Sequence, residues 1–184
     1  TKSSDLGQNR KEPTIAVAMH DQTGHSSHVG STNKELYFEW NGLRYLFEDV
    51  PGDGNCLFSA LACIPDVPFN SSSEVRNAIV SYVLHGRTHN ITHSLQPAER
   101  ETLQKATQMF YKKNVKDWAK QIQKDRIWGT VWEIAIIAIM CRIEIIILTH
   151  LPHGYHDCSM KETVQFQKCK ALLKSFPNMV STHY

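Results

Sequence analysis

A mixed α/β domain, with a sheet flanked by helices, is the fold class this sequence predicts. Three observations predict it. Residues 36–47 alternate apolar and polar around Asn41-Gly42. Residues 72–141 hold several stretches with apolar positions at helical spacing. The strand-like runs "IEIIILT" and "MVSTHY" then gather late in the chain. At 184 residues, with 41% apolar and 21% charged content, the chain is long enough and ordinary enough for one soluble domain with a real core.

In chain order, residues 1–34 are Ser, Thr, Gly, Asn, Gln and His with few large apolar residues, and read as a disordered N-terminal tail. Within it "TIAVAM" (Thr14–Met19) supports at most a brief strand. The domain proper is placed at 35–184. It opens with a hairpin: Leu36, Phe38 and Trp40 share one parity, Asn41-Gly42 is a strong turn, and Leu43, Tyr45 and Phe47 resume the alternation. The stretch "VPGDGNCLFSALACI" (Val50–Ile64) follows, a polar turn running into an apolar stripe. Leu57, Phe58, Ala60, Leu61, Ala62 and Ile64 read as the buried side of a short helix. Cys56 then sits near a helix N-terminus, where free N–H groups and the helix dipole favour a thiolate. A nucleophile and an ordinary buried cysteine both fit that position.

Ser71 and Glu74 stand at capping-box spacing, Val75, Ala78, Ile79, Tyr82 and Val83 form a stripe, and Gly86 ends this helix. A polar loop with His85, His89 and His93 leads to Pro97, which starts a helix with the stripe Leu103, Ala106, Met109 and Phe110. "VKDWAKQIQKDRIWGT" is expected to continue helically to a loop holding Trp128-Gly129. The last elements are a helix through "VWEIAIIAIMC", a buried strand at "IEIIILT", a His-rich loop, a strand near "TVQFQ" and a final strand at "MVSTHY". Glu133, in apolar surroundings, reads as a structural hydrogen-bonding group.

A net charge of +2 argues for neither nucleic acid nor an anionic membrane as a partner. The most apolar stretch is interrupted by Glu133, Arg142 and Glu144, so no segment reads as a membrane span. No signal-peptide pattern opens the chain. Its first residue, Thr, and its stop at "STHY" read as the ends of a piece cut from something longer. The five cysteines (Cys56, Cys63, Cys141, Cys158, Cys169) are odd in number and contain no CxxC pair. Reduced thiols in a cytosol-like compartment are the simplest reading, and the sequons at Asn70 and Asn90 then carry no meaning. His150, His153, His156, Asp157 and Cys158 are potential metal ligands, but their spacing matches no helical zinc signature. No metal and no other cofactor is expected. Lys112, Lys113, Lys116, Lys120 and Lys124 read as a solvated helix face.

A thiol nucleophile needs a base, usually histidine, and N–H donors facing the developing oxyanion. "DGNC" (Asp53–Cys56) supplies donors, since its glycine lets the loop turn amides inward and Asp53 can hold the loop by accepting backbone hydrogen bonds. The base must come from elsewhere among ten histidines.

These residues resemble a known family. "GDGNCLFSAL" is similar to the Asp-Gly-Asn-Cys signature of the ovarian-tumour (OTU) cysteine proteases. "WGTVWEIAIIAIMCRIEIIIL" resembles that family's Trp-Gly, Glu, helix and strand block, and "STHY" resembles its closing His-Tyr element. The resemblance covers residues 36–184. It implies a papain-like α/β fold with a central, mostly antiparallel sheet flanked by helices. It implies Cys56 as nucleophile, His183 as general base and Asp53 as a third catalytic-loop member. An oxyanion hole would lie at Asp53, Gly54, Asn55 and Cys56, with Trp128 and Gly129 along the substrate channel. The implied activity is that of a cysteine-type deubiquitinase, cleaving isopeptide bonds at the C-terminus of ubiquitin or a ubiquitin-like modifier. A catalytically weak OTU-fold ubiquitin-binding module is the alternative. A monomer in the cytoplasm, with the nucleus as a second site, completes the expectation. Two features depart from the family: Ser59 stands where Arg is common, and no acid or amide follows Tyr184 to orient the imidazole. Asp49 is a poor substitute for that orienting group.

Overall fold

The computed structural model describes residues 50–145 with their side chains, the backbone of strands at 14–16, 36–40, 43–47, 146–148 and 180–183, and positions 169 and 176. Its elements run β1 (Thr14–Ala16), β2 (Leu36–Trp40), β3 (Leu43–Phe47), α1 (Cys56–Ala62), α2 (Ser72–His85), α3 (Pro97–Tyr111), α4 (Val115–Ile122), α5 (Val131–Cys141), β4 (Ile145–Leu148) and β5 (Val180–His183). The segments expected as a His-rich loop and a strand near "TVQFQ" lie outside the described residues. So does most of the expected tail, apart from β1.

The central, mostly antiparallel sheet flanked by helices is overturned. The described region is 57% helical, and its core is built helix on helix. Helix α2 is the hub, packing against α1, α3, α4 and α5. Among the described residues, strand pairing is confined to short ladders. Strands β1, β4 and β5 pair in parallel, and antiparallel pairing is limited, among the described residues, to the β2–β3 hairpin. The physical reason is coverage: α2 buries its apolar face against α1, α3, α4 and α5, so most of this core closes helix on helix, with α5 also meeting β5 and Ile145 of β4 joining the core. Parallel pairing of β4 with β5 fits the long stretch of chain between Leu148 and Val180, since parallel strands need a crossover.

The hairpin has the expected register, with Trp40 opposite Leu43. Helix α2 starts where the capping residues put it: Ser71 Oγ accepts the Glu74 N–H at 3.2 Å. The Glu74 carboxylate takes the Asn70 N–H at 2.9 Å, so the return arm of the cap reaches one residue further back. Gly86, at φ 72°, ends α2. The single helical run expected towards Trp128 is instead broken. Lys112 turns left-handed (φ 52°), the Asn114 side chain accepts the Lys116 N–H to start α4, and α4 stops at Ile122. Residues 123–130 are therefore free to form a loop, and that loop positions the site.

Met109 leaves the expected α3 stripe and is exposed. Thr107 takes the buried place, completing the spacing Leu103, Ala106, Thr107 and Phe110. Its hydroxyl accepts the Trp132 indole N–H at 3.1 Å and donates to the Leu103 carbonyl at 2.8 Å, so burial leaves no unmet polar atom there. Phe110 stacks on Trp132 with centroids 5.2 Å apart.

Candidate active site

Cys56 is the first residue of α1, with Asn55 as the N-cap. The Asn55 carbonyl accepts the Ser59 N–H at 2.9 Å, the first bond of the helix. In a trans peptide the C=O and N–H point in opposite directions, so that bond aims the Cys56 N–H off the helix N-terminus. The half-buried Cys56 thiol stands beside it. Cys141, the last residue of α5, has no such setting. Burial pushes the Cys141 thiol up to about 12 and the Cys169 thiol to about 11, so neither offers a thiolate near neutral pH. The four described cysteines form no disulfide with one another, and Cys63 is exposed.

The loop before Cys56 is tied from several sides. Asp53 Oδ1 accepts the Asn55 N–H at 2.8 Å, and the Asp53 N–H is bonded to the Pro51 carbonyl at 2.9 Å. Of the four amides expected to face an oxyanion, those of Asp53 and Asn55 are thus occupied within the loop. Those of Gly54 and Cys56 have no acceptor among the described residues. The expected loop-holding role of Asp53 is what its carboxylate performs.

The Asn55 amide bond, acting ahead of the other influences, holds the exposed Asp53 carboxyl below its ordinary 3.8. A carboxyl depressed in the folded state contributes its full stabilisation above 3.8, and loses it as pH falls through the lower folded value. The Asn55 amide proton resonance is accordingly expected to titrate with a midpoint below 3.8, and to stop doing so in Asp53→Asn.

A buried arginine completes the arrangement. Arg76, on α2, is 2% exposed. Its Nη1 donates to the Ile122 carbonyl at 2.8 Å. Its Nη2 donates to Asn55 Oδ1 at 2.8 Å and the Ile127 carbonyl at 2.6 Å, with a longer contact to the Gly54 carbonyl at 3.3 Å. The guanidinium lies 3.7 Å above the Phe58 ring. Burial lowers the Arg76 pKa, the Asp125, Glu133 and Asp53 carboxylates oppose it, and an arginine stays charged in either case. Asn55 makes two further bonds: Nδ2 donates to Asp125 Oδ1 at 2.9 Å, and Oδ1 accepts the Arg126 N–H at 3.1 Å.

The loop gripped in this way leads to the expected substrate channel. Trp128 is 56% exposed, and Gly129 lies so close to α1 that an added Cβ would fall 2.5 Å from the Leu57 side chain and 2.9 Å from the Phe58 ring. Gly129 therefore borders the start of α1, with Trp128 beside it in the chain. His183 ends β5, opposite Leu148. Its side chain lies outside the described residues, as do Asp49 and the whole cluster His150, His153, His156, Asp157 and Cys158. Among the described residues no group of His, Cys, Asp and Glu could hold a metal ion, and no helix is long and apolar enough to cross a membrane.

Arg76, Asp125 and Arg126 do not stand out when the sequence is read for chemistry. One signal was available for Arg76: it precedes Ile79, Val80 and Val83 by three, four and seven residues, which places a cation on the buried face of α2. A buried cation demands acceptors, and the carbonyls of a glycine-rich turn are natural ones.

A family model described as OTU-like cysteine protease matches residues 51–184. No curated protein and no solved structure gives a match.

Proposed function

This chain belongs to the OTU-like cysteine protease family, and from that premise we propose that it is a deubiquitinase with Cys56 as nucleophile and His183 as general base. The observation that carries the reading is the placement of Cys56. It is the first residue of a helix, its own amide is unbonded among the described residues, and the preceding turn is fixed by Asp53 and Arg76. The family generally acts on ubiquitin conjugates.

The chemistry follows from these groups. The Cys56 thiolate attacks the isopeptide carbonyl carbon, and the Gly54 and Cys56 N–H groups donate to the oxyanion of the tetrahedral intermediate. The imidazolium of His183 gives its proton to the lysine nitrogen as the C–N bond breaks, leaving a thioester on Cys56. Water, losing a proton to the same imidazole, then attacks the thioester and releases the carboxylate and the thiol. Trp128 and Gly129 flank the path by which the extended modifier tail reaches Cys56.

The test is reaction with ubiquitin bearing a C-terminal electrophile. A covalent adduct is expected with the parent chain, none with Cys56→Ala, and adduct formation slowed by about a hundredfold in His183→Ala, the scale of a lost general base. An adduct that persists in Cys56→Ala overturns the nucleophile. Ubiquitin binding without any adduct replaces the enzyme by a binding module.

A further inference from the structure

We propose that Arg76 is a positioning residue: through Asn55 it locks the turn carrying Cys56 and the loop 122–129 into one unit, so that nucleophile and channel keep a fixed distance. The proposal rests on reading Cys56 as the nucleophile and Trp128-Gly129 as the channel. It goes beyond that reading by assigning work to residues that touch neither substrate nor the reacting atoms.

The argument is one of connectivity. The Arg76 fork binds one carbonyl at the end of α4 (Ile122), one beyond the turn (Ile127), and two oxygens of the nucleophile loop (Asn55 Oδ1 and the Gly54 carbonyl). Asn55 repeats the link from the other side, reaching Asp125 through Nδ2 and the Arg126 N–H through Oδ1. Two side chains thus join the same two loops by six hydrogen bonds: four between 54–55 and 125–126 or Arg76, and two from Arg76 to 122 and 127. The Phe58 ring lies under the Arg76 guanidinium and close to Gly129, so the first turn of α1 is part of the same block. Lysine cannot reproduce this, having a point charge where the geometry uses a planar fork.

Arg76 is buried, and its replacement threatens folding, so the decisive variants are at Asp125, whose side chain is 77% exposed. Asp125→Ala removes the acceptor of the Asn55 amide. Asp125→Asn keeps an acceptor oxygen and removes only the charge. Two readouts are taken: hydrogen exchange of peptides spanning 52–58 and 123–129, and turnover of ubiquitin with a fluorogenic C-terminal amide. Asp125→Ala is expected to raise exchange in both segments together, leaving α3 and α5 unchanged. Its kcat is expected to fall by about tenfold, a fraction of what a 1 Å misplacement of reacting groups can do. Asp125→Asn is expected to restore both. Arg76→Lys, if it folds, is expected to show the same pairing with a larger loss.

Faster exchange confined to 123–129 overturns the coupling. Coupled loosening with unchanged kcat overturns the positioning role, and failure of Asp125→Asn to rescue assigns the effect to charge and overturns the hydrogen-bonded clamp. A parent chain without Cys56-dependent turnover removes the deubiquitinase reading instead, and the exchange data then decide the coupling alone.

Discussion

Gly54→Ala is expected to abolish turnover, by more than about a hundredfold, while Gly52→Ala leaves it unchanged. The two glycines flank the same aspartate and look alike in the sequence. Their surroundings differ. Gly54 adopts φ 85°, a conformation that costs an alanine about 1–2 kcal/mol. A Cβ there would also stand 2.6 Å from the Arg126 carbonyl oxygen and 3.0 Å from the Arg126 Cα. Those are backbone atoms, which cannot rotate aside as the tip of a side chain can. The nucleophile turn and the 125–127 turn must therefore part, straining the Asn55 bond to the Arg126 N–H and the Arg76 bond to the Gly54 carbonyl. Cys56 follows two residues later and moves with them. At Gly52 an added Cβ meets nothing within 4 Å. Steady-state rates with unchanged far-ultraviolet circular dichroism check the contrast, and equal activity of the two variants would show that the loop tolerates the displacement.

That contrast marks where the sequence is legible. A tight turn ahead of Cys56 could be read from "PGDGN", because glycine and proline announce unusual backbone angles whatever surrounds them. Which glycine is indispensable could not, since it depends on Arg126, seventy-two residues further along. The same division holds elsewhere. The start and end of α2 were legible because Ser71 and Gly86 act on their own helix. The break between α3 and α4 was missed because Lys112, an ordinary helix former, takes a left-handed conformation that no local rule demands of it. The sheet was overestimated for a related reason: β-branched runs announce strands, yet how far strands pair is decided by what the helices already cover. In the site, Cys56 and Asp53 carry their chemistry in their own motif. Arg76 acts only through partners at 54, 55, 122 and 127, which no single window of sequence contains.

The second large effect falls on stability. Glu133→Ala is expected to cost about 3–5 kcal/mol, the scale of breaking a buried charged network, and so a large part of the roughly 5–15 kcal/mol that holds a domain together. Glu133 is fully buried at the start of α5. Its carboxylate accepts from the Tyr111 hydroxyl at 2.6 Å, the Thr130 N–H at 2.8 Å, the Thr130 hydroxyl at 2.9 Å and the Trp118 indole N–H at 3.3 Å. It therefore caps its own helix while joining α3, α4 and α5. Alanine would leave those donors facing each other across a cavity, each unmet donor costing about 1–3 kcal/mol before relaxation. Tyr111→Phe removes one donor and leaves the acceptor satisfied by the rest, so it is expected to cost about 1 kcal/mol. The pH dependence gives a second reading of the same group. Burial, outweighing the four donors, raises the Glu133 carboxyl above its ordinary 4.5. A carboxyl raised in the folded state binds its proton more tightly there than in the unfolded chain, so its contribution is greatest below 4.5 and declines as pH rises through the folded value. Urea unfolding across that window should show this decline in the parent chain and its absence in Glu133→Gln, which cannot titrate. A parent and Glu133→Gln with parallel pH profiles would mean that the donors fully offset burial and leave this carboxyl unshifted on folding, and a parent that gains stability relative to Glu133→Gln as pH rises would mean that the donors outweigh it.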